Sequence, residues 1–109
     1  AGRFPLWLAP TQAVLATIVT EANDYALDLQ NQLLAMGLRA EVDLRNEKIS
    51  YKVREHSLQK VPIILALGRR EAKEKTVTVR RLGSKEQETL LFEDFLVQLQ
   101  EEATPPALR

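Results

Sequence analysis

The chain has 109 residues, 45% of them hydrophobic and 28% charged, which is the composition of one soluble globular domain. It has no cysteine, which excludes disulfides and thiolate metal sites and fits a reducing cytoplasm, and no apolar run approaches the about 20 residues that span a bilayer. The net charge is zero, yet residues 39–81 carry twelve Lys/Arg against six Asp/Glu. A basic middle between acidic flanks is expected of a phosphate-facing surface, although charge runs more often mark a solvated face.

The first half of the chain alternates strand and helix signals. Residues 12–19 are apolar and β-branched near their end, which predicts a buried strand. A helix is predicted from about residue 20 onwards, and Gly37 is expected to end it because glycine accepts a left-handed backbone. Residues 38–44 alternate apolar and charged side chains, which predicts a half-buried strand.

The second half begins with a helix that is predicted from about residue 47 to residue 58, with Asn46 as its cap. Residues 61–67 are almost purely apolar and are expected to form a central strand that is covered on both faces. Residues 68–74 are predicted to form a charged connection.

Two strands and a helix are predicted to complete the chain. Residues 76–82 and 86–91 indicate a hairpin, and the spacing of apolar residues from Phe92 onwards predicts a final helix that ends before Pro105. Successive strand–helix–strand units imply parallel pairing, to which the hairpin adds antiparallel strands. We therefore expect a three-layer α/β domain with a mixed sheet of about five strands and three helices.

The whole chain, residues 1–109, is expected to form a single domain. Residues 1–5 are interpreted as a leading segment, residues 6–9 as a short extended piece, and residues 103–109 as a flexible tail.

Catalytic chemistry finds little support in these residues. There is one histidine, and the four glycines are too dispersed for a phosphate-binding loop. His56 falls at the end of a predicted helix, where a cation suits the helix dipole. A metal site formed by His56 with Glu55 or Asp43 is disfavoured, because too few ligand-type residues cluster in the sequence.

The segment from residue 43 to residue 56 is the most informative for binding. It runs from the carboxyl end of a predicted strand into a helix, so Arg45 and Asn46 lie where ligands bind in open α/β sheets. Basic side chains in this segment can contact phosphates without reading sequence. These possible phosphate contacts are Arg45, Lys48, Lys52 and Arg54. The alternative is a solvated amphipathic helix with an asparagine cap.

Two motifs in the chain resemble those of a known family. Residues 43–56, DLRNEKISYKVREH, followed by Val61-Pro62, resemble the DLRNEKIGxKIREH…VP signature of threonyl-tRNA synthetases. Residues 2–12, GRFPLWLAPTQ, resemble the GxFPxWLAPxQ segment that opens the anticodon-binding domain of the same family. Further matches at residues 65–68 with Glu71, and at residues 77–80, extend the resemblance in order over essentially the whole chain.

The resemblance implies an anticodon-binding domain of a class II synthetase without a catalytic site of its own. It also implies that Asn46, Glu71 and Arg80 belong to the surface that reads the anticodon of threonine tRNA, which carries G in the middle and U in the third place. Arginine suits guanine O6 and N7, a carboxylate accepts base N–H groups, and an asparagine amide complements uracil. The alternative is that Arg80 is an exposed arginine on a strand, Glu71 is a charged residue in a loop and Asn46 is a helix cap.

For a parent enzyme, the resemblance implies an ATP-dependent threonine–tRNA ligase in the cytoplasm. Its catalytic domain, which would bind ATP with magnesium and zinc, is not in this chain. The resemblance implies a homodimeric parent and a monomeric isolated domain, with the threonine tRNA stem-loop and the catalytic domain as partners and no membrane. Two alternatives remain: the corresponding domain of a prolyl-, glycyl- or histidyl-tRNA synthetase, and a protein-interaction or dimerisation domain that no longer reads RNA.

Overall fold

One mixed sheet organises the protein, whose computed structural model describes residues 5–105 and residue 107. Its strands are β1 (Ala13–Thr17), β2 (Ala40–Asp43), β3 (Ile63–Leu67), β4 (Thr76–Arg81) and β5 (Gln87–Leu91), in the spatial order β2-β1-β3-β4-β5. β1 pairs in parallel with both β2 and β3, whereas β4 and β5 are antiparallel to their neighbours. The predicted five-stranded mixed sheet is therefore confirmed.

Helices cover both faces of the sheet, because side chains along a buried strand point alternately to opposite sides. The helices are α1 (Asn23–Ala35), α2 (Ile49–Leu58), α3 (Arg69–Glu74) and α4 (Phe92–Ala103). On one face, α1 and α4 bury the larger core, which includes Leu15 and Phe95. On the other face, Val53 of α2 packs against Val14 and Ile64. These two apolar clusters confirm the three-layer architecture.

Gly37 ends α1 as predicted. Its φ angle is 80°, and the amide of Leu38 donates to the carbonyl of Leu33 at 3.0 Å while that of Gly37 donates to Leu34 at 3.0 Å. This pair of bonds satisfies the last carbonyls of the helix and turns the chain into β2.

Two predicted connections are helical instead. Residues 6–9 are not extended, since Leu6–Leu8 forms a 3-10 turn in which the Leu8 amide donates to the carbonyl of Pro5 at 3.0 Å. Residues 69–74 form α3, a fourth helix beside the three predicted. A single charged turn of this length shows no apolar periodicity, so the pattern of the sequence did not indicate it.

Asn46 is not a helix cap. α2 begins at Ile49, the residue before it is Lys48, and no side chain caps this end. Residues 1–4 of the leading segment and residues 106, 108 and 109 of the tail lie outside the described residues. Among the described residues, no helix combines the length and the hydrophobicity needed to cross a membrane.

Candidate nucleic-acid interface

Two neighbouring clefts form the candidate site: one lies over the α2 face of the sheet, and the other follows the carboxyl ends of β1 and β2. The larger, the sheet cleft, has a volume of about 470 Å³ and contains Glu71 and Arg80. The smaller, the loop cleft, has a volume of about 260 Å³ and contains Asn46. Ile18, which directly follows β1, lines both. The tertiary structure thus places the three predicted site residues around adjoining clefts, and the loop cleft with Asn46 lies at the position where open α/β sheets bind ligands.

The sheet cleft exists because α2 covers only part of its face of the sheet. Arg80 pairs with Ile64, and Ile64 lies under α2, so the Arg80 side chain is on the α2 face. Gln87 of β5 pairs with Arg80, and Thr89 pairs with Thr78, which places a polar row on the same face. This row forms the floor of the cleft, which residues of α2 and Glu71 of α3 also line.

Glu71 is held in one orientation at the wall of the sheet cleft. Its Oε1 atom accepts from the Gly68 amide at 2.7 Å and its Oε2 atom accepts from the Thr78 hydroxyl at 2.9 Å. Thr78 has one hydroxyl proton, so in the 3.0 Å contact between the two threonines Thr89 is the donor. Each carboxylate oxygen keeps acceptor capacity, and Glu71 is therefore able to accept from a base N–H group.

Gly68 is small because Glu71 lies against it. A Cβ atom at position 68 would lie 3.1 Å from Glu71 Oε1 and 3.5 Å from the Ile18 side chain. Because glycine has no side chain, the Glu71 carboxylate is able to approach the Gly68 amide. The resulting hydrogen bond caps α3 and holds Glu71 in position at the wall of the sheet cleft.

Arg80 is the arginine that the fold leaves without a partner in the sheet cleft. It is half-buried, and within the described part of the chain its side chain makes no ion pair or hydrogen bond. Most other described arginines are paired with carboxylates or backbone carbonyls: Arg39, Arg45, Arg69, Arg70 and Arg81. A partly desolvated guanidinium is stabilised by bonding to acceptors, and its planar fork matches two of them at once.

Asn46 presents an unengaged amide to the loop cleft. The residue is exposed, and over residues 5–105 and 107 its side chain makes no hydrogen bond. Because the Asn46 side chain does not cap α2, capping does not prevent it from contacting a base. Its two donors and its acceptor are available to a ligand.

The loop that carries Asn46 is anchored at the buried carboxylate of Asp43. Arg45 donates from Nε to Asp43 Oδ1 at 2.9 Å and from Nη2 to Oδ2 at 2.7 Å. The Arg45 guanidinium, joined by His56, holds the pKa of Asp43 well below its usual range in spite of burial. Nη2 of Arg45 also donates to Glu55 at 2.7 Å. Asn46 therefore follows a residue whose side chain is bonded to both β2 and α2.

His56 lies in the last turn of α2, as predicted, but its Nε2 atom is 2.8 Å from Asp43 Oδ2. Asp43, Glu55 and His56 do cluster, contrary to expectation, with ligand-type atoms within 4.8 Å of one another. Arg45 donates to two of the three side chains, so a cation already neutralises this group.

The four possible phosphate contacts fall into three situations. Lys48 and Arg54 are exposed and unpaired among the described residues, Arg45 is engaged by two carboxylates, and Lys52 is 1% exposed. Lys52 Nζ donates to the carbonyls of Thr17 and Asp43 at 2.9 and 3.1 Å. Burial lowers the pKa of Lys52, an effect that Asp43 opposes. The phosphate contact predicted for Lys52 is not supported, because its ammonium group faces the interior.

Residues that the sequence pattern did not single out also line the sheet cleft, among them Thr78, Gln87 and Thr89. Alternation along β4 places Thr78 and Arg80 on one side, which the sequence would have indicated. The position of Gln87 depends on the register of the β4–β5 hairpin, for which the sequence carried no signal.

Comparison with known proteins identifies relatives over almost the entire chain. Residues 12–102 match the family described as "Anticodon binding domain". The chain is 61% identical over 109 residues to a threonine–tRNA ligase of Chelativorans sp. (strain BNC1), covering 100% of this chain and 17% of that protein. It is 60% identical over 107 residues to a threonine–tRNA ligase of Paramagnetospirillum magneticum (strain ATCC 700264 / AMB-1), covering 98% of this chain and 17% of that protein.

A solved structure, the RNA binding domain of threonyl-tRNA synthetase from Cryptosporidium parvum Iowa II, superposes with a TM-score of 0.92. The sequences are 28% identical, and the match covers 99% of this chain and 27% of that one. The chain thus spans only a small part of the length of these relatives.

Proposed function

The chain belongs to the family of anticodon-binding domains, and from that membership we propose that it binds the anticodon loop of threonine tRNA. Asn46, Glu71 and Arg80 contact bases of the anticodon, with Arg80 on the middle guanine. Bases of a single-stranded loop are splayed out, so their edges are open to hydrogen bonding.

The observation that carries this proposal is the unpaired Arg80 beside the oriented Glu71 carboxylate in the sheet cleft. Arg80 offers a rigid fork of donors, and Glu71 offers acceptors held in position. Guanine presents acceptors at O6 and N7 and donors on its other edge, so the two side chains match a guanine more fully than any other base.

The binding experiment is a titration of labelled anticodon stem-loops with this domain. We expect the stem-loop with a middle guanine to bind at least about fivefold more tightly than one with a middle adenine, since a bidentate arginine contact is worth about 1–3 kcal/mol. Fluorescence anisotropy at fixed salt measures both dissociation constants. Equal affinity for every middle base would contradict base reading, and the absence of binding would favour a protein-interaction domain of the same fold.

Arg54→Ala tests the phosphate contacts separately. Arg54 is exposed and unpaired among the described residues, so we expect its loss to weaken all stem-loops alike, whatever their middle base. The slope of log Kd against log salt concentration should become shallower by roughly 0.7, the contribution of one phosphate contact on a single strand. An effect confined to one base would assign Arg54 to base reading instead.

The parent protein that we propose is a cytoplasmic, homodimeric threonine–tRNA ligase. We also propose that the isolated domain is a monomer. ATP with magnesium, and a zinc ion, would bind in a catalytic domain outside this chain. The similarity to threonine–tRNA ligases supports this parent. Lys48 and Arg54 would contact the tRNA backbone, and Arg45 would act chiefly by holding the loop that carries Asn46.

A further inference from the structure

We propose that Gln87, on the edge strand β5, hydrogen-bonds to the same anticodon nucleotide that Arg80 contacts, and so is a further specificity-determining residue. This inference rests on the proposed function, and it adds a residue that neither sequence motif contains. It would extend the interface from the end of the sheet onto the open face of the hairpin.

The register of the hairpin is the first support. Gln87 and Arg80 are directly paired across β4 and β5, so their Cβ atoms lie about 5 Å apart and their side chains leave the sheet on the same face. β5 is the last strand of the sheet, and both residues line the sheet cleft. A base seated on Arg80 therefore lies within reach of the Gln87 amide.

The second support is that the Gln87 side chain is exposed and makes no hydrogen bond among residues 5–105 and 107. The two threonines of the sheet cleft are engaged, since Thr78 bonds to both Glu71 and Thr89. Gln87 and Arg80 are thus paired neighbours that both have their hydrogen-bonding groups free.

Their chemistry is also complementary. Arg80 supplies donors alone, whereas the Gln87 amide supplies both an acceptor and donors. A base that uses acceptors on one edge against Arg80 still has N–H donors on another edge, and the Gln87 carbonyl oxygen is able to accept from these. Gln87 adds to the affinity for this nucleotide without bearing a charge, so its contribution should be insensitive to salt.

The test measures stem-loop binding by wild type and Gln87→Leu, with the intact loop and with a loop that lacks the middle base. On the intact loop we expect Gln87→Leu to raise Kd about threefold to tenfold, as for loss of one hydrogen bond. On the abasic loop the same variant should bind within about twofold of wild type, with both titrations run at low salt so that weak binding is measurable. Gln87→Thr, whose side chain is too short to reach the base, should reproduce the weaker binding. That result would show that the added apolar surface of leucine is not the cause.

Gln98→Leu is the matched control, because Gln98 is an exposed glutamine on α4, against the opposite face of the sheet. It should leave both dissociation constants unchanged. This inference is overturned if Gln87→Leu binds the intact loop as tightly as wild type does, or if the substitution raises Kd by the same factor on the abasic loop. The proposed function stands in either case. If wild type binds no stem-loop, the proposed function fails and the inference fails with it.

Discussion

Replacing Arg80 with alanine is expected to abolish discrimination for the middle guanine and to weaken the cognate stem-loop by about fivefold to 150-fold. The range corresponds to about 1–3 kcal/mol for a bidentate arginine–guanine contact. Glu71 offers only acceptors, Thr78 donates to Glu71 and Thr89 donates to Thr78, so none of these neighbours supplies the fork of two donors that Arg80 offers. The measurement is anisotropy with stem-loops that carry each of the four middle bases.

Arg81→Ala is the matched control, because Arg81 is the next residue of β4, faces the opposite side of the sheet and pairs with Glu102 at 2.8 Å. We expect it to bind within about twofold of wild type, since a half-exposed ion pair contributes little to stability. Arg80→Lys keeps the charge but loses the fork, so it should retain part of the affinity and little of the discrimination. Unchanged base preference in Arg80→Ala would refute the role assigned to Arg80.

Asp43→Ala is expected to lower the free energy of unfolding by about 3 kcal/mol, because it removes one partner of a buried charge pair. The Asp43 side chain is 4% exposed and faces Arg45, His56 and, at 4.0 Å, the buried ammonium of Lys52. Without the carboxylate, Lys52 is left in the interior with no opposing charge. Urea unfolding followed by circular dichroism measures the change.

Glu55→Ala serves as the control, since Glu55 is partly exposed and bonds to Arg45 at the surface, and its loss should cost under about 1 kcal/mol. The pH dependence of stability provides a second test of the role of Asp43. The pKa of Asp43 is held below its ordinary value of 3.8, so its stabilisation is complete above about pH 4 and is lost as the pH falls towards the folded-state pKa. The stability difference between wild type and Asp43→Asn should therefore narrow below about pH 4. If the difference in the free energy of unfolding between wild type and Asp43→Asn stays constant with pH, Asp43 acts by packing alone.

Much of the fold was predictable because its signals are local. The apolar run of β3, the alternation along β2 and the stripe of α4 each have a period that identifies the element. Gly37 was predictable as a helix end because few residues accept its φ angle. α3 and the turn at Leu6–Leu8 were not, because single turns depend on one or two hydrogen bonds rather than on periodicity.

The site was predictable in part. The family resemblance implied Asn46, Glu71 and Arg80, and the strand-end argument gave a separate reason for Asn46. The same reasoning was wrong in treating Lys52 as a surface cation, because sequence shows the charge of a lysine but not the direction of its side chain. Lys52 lies on the inner side of α2, where the Thr17 and Asp43 carbonyls accept hydrogen bonds from its ammonium group.

By itself, the sequence determined the types of the main strands and helices, the basic middle of the chain and the family resemblance, since all of these depend on the order of residues. Only the tertiary structure decided which charges are free. Pairing joins residues distant in the chain, as in Arg81 with Glu102, and it removes Arg45 and Lys52 from the available cations while leaving Arg80 unpaired. Strand register likewise placed Gln87 beside Arg80. Both depend on contacts made through space, which no local pattern encodes.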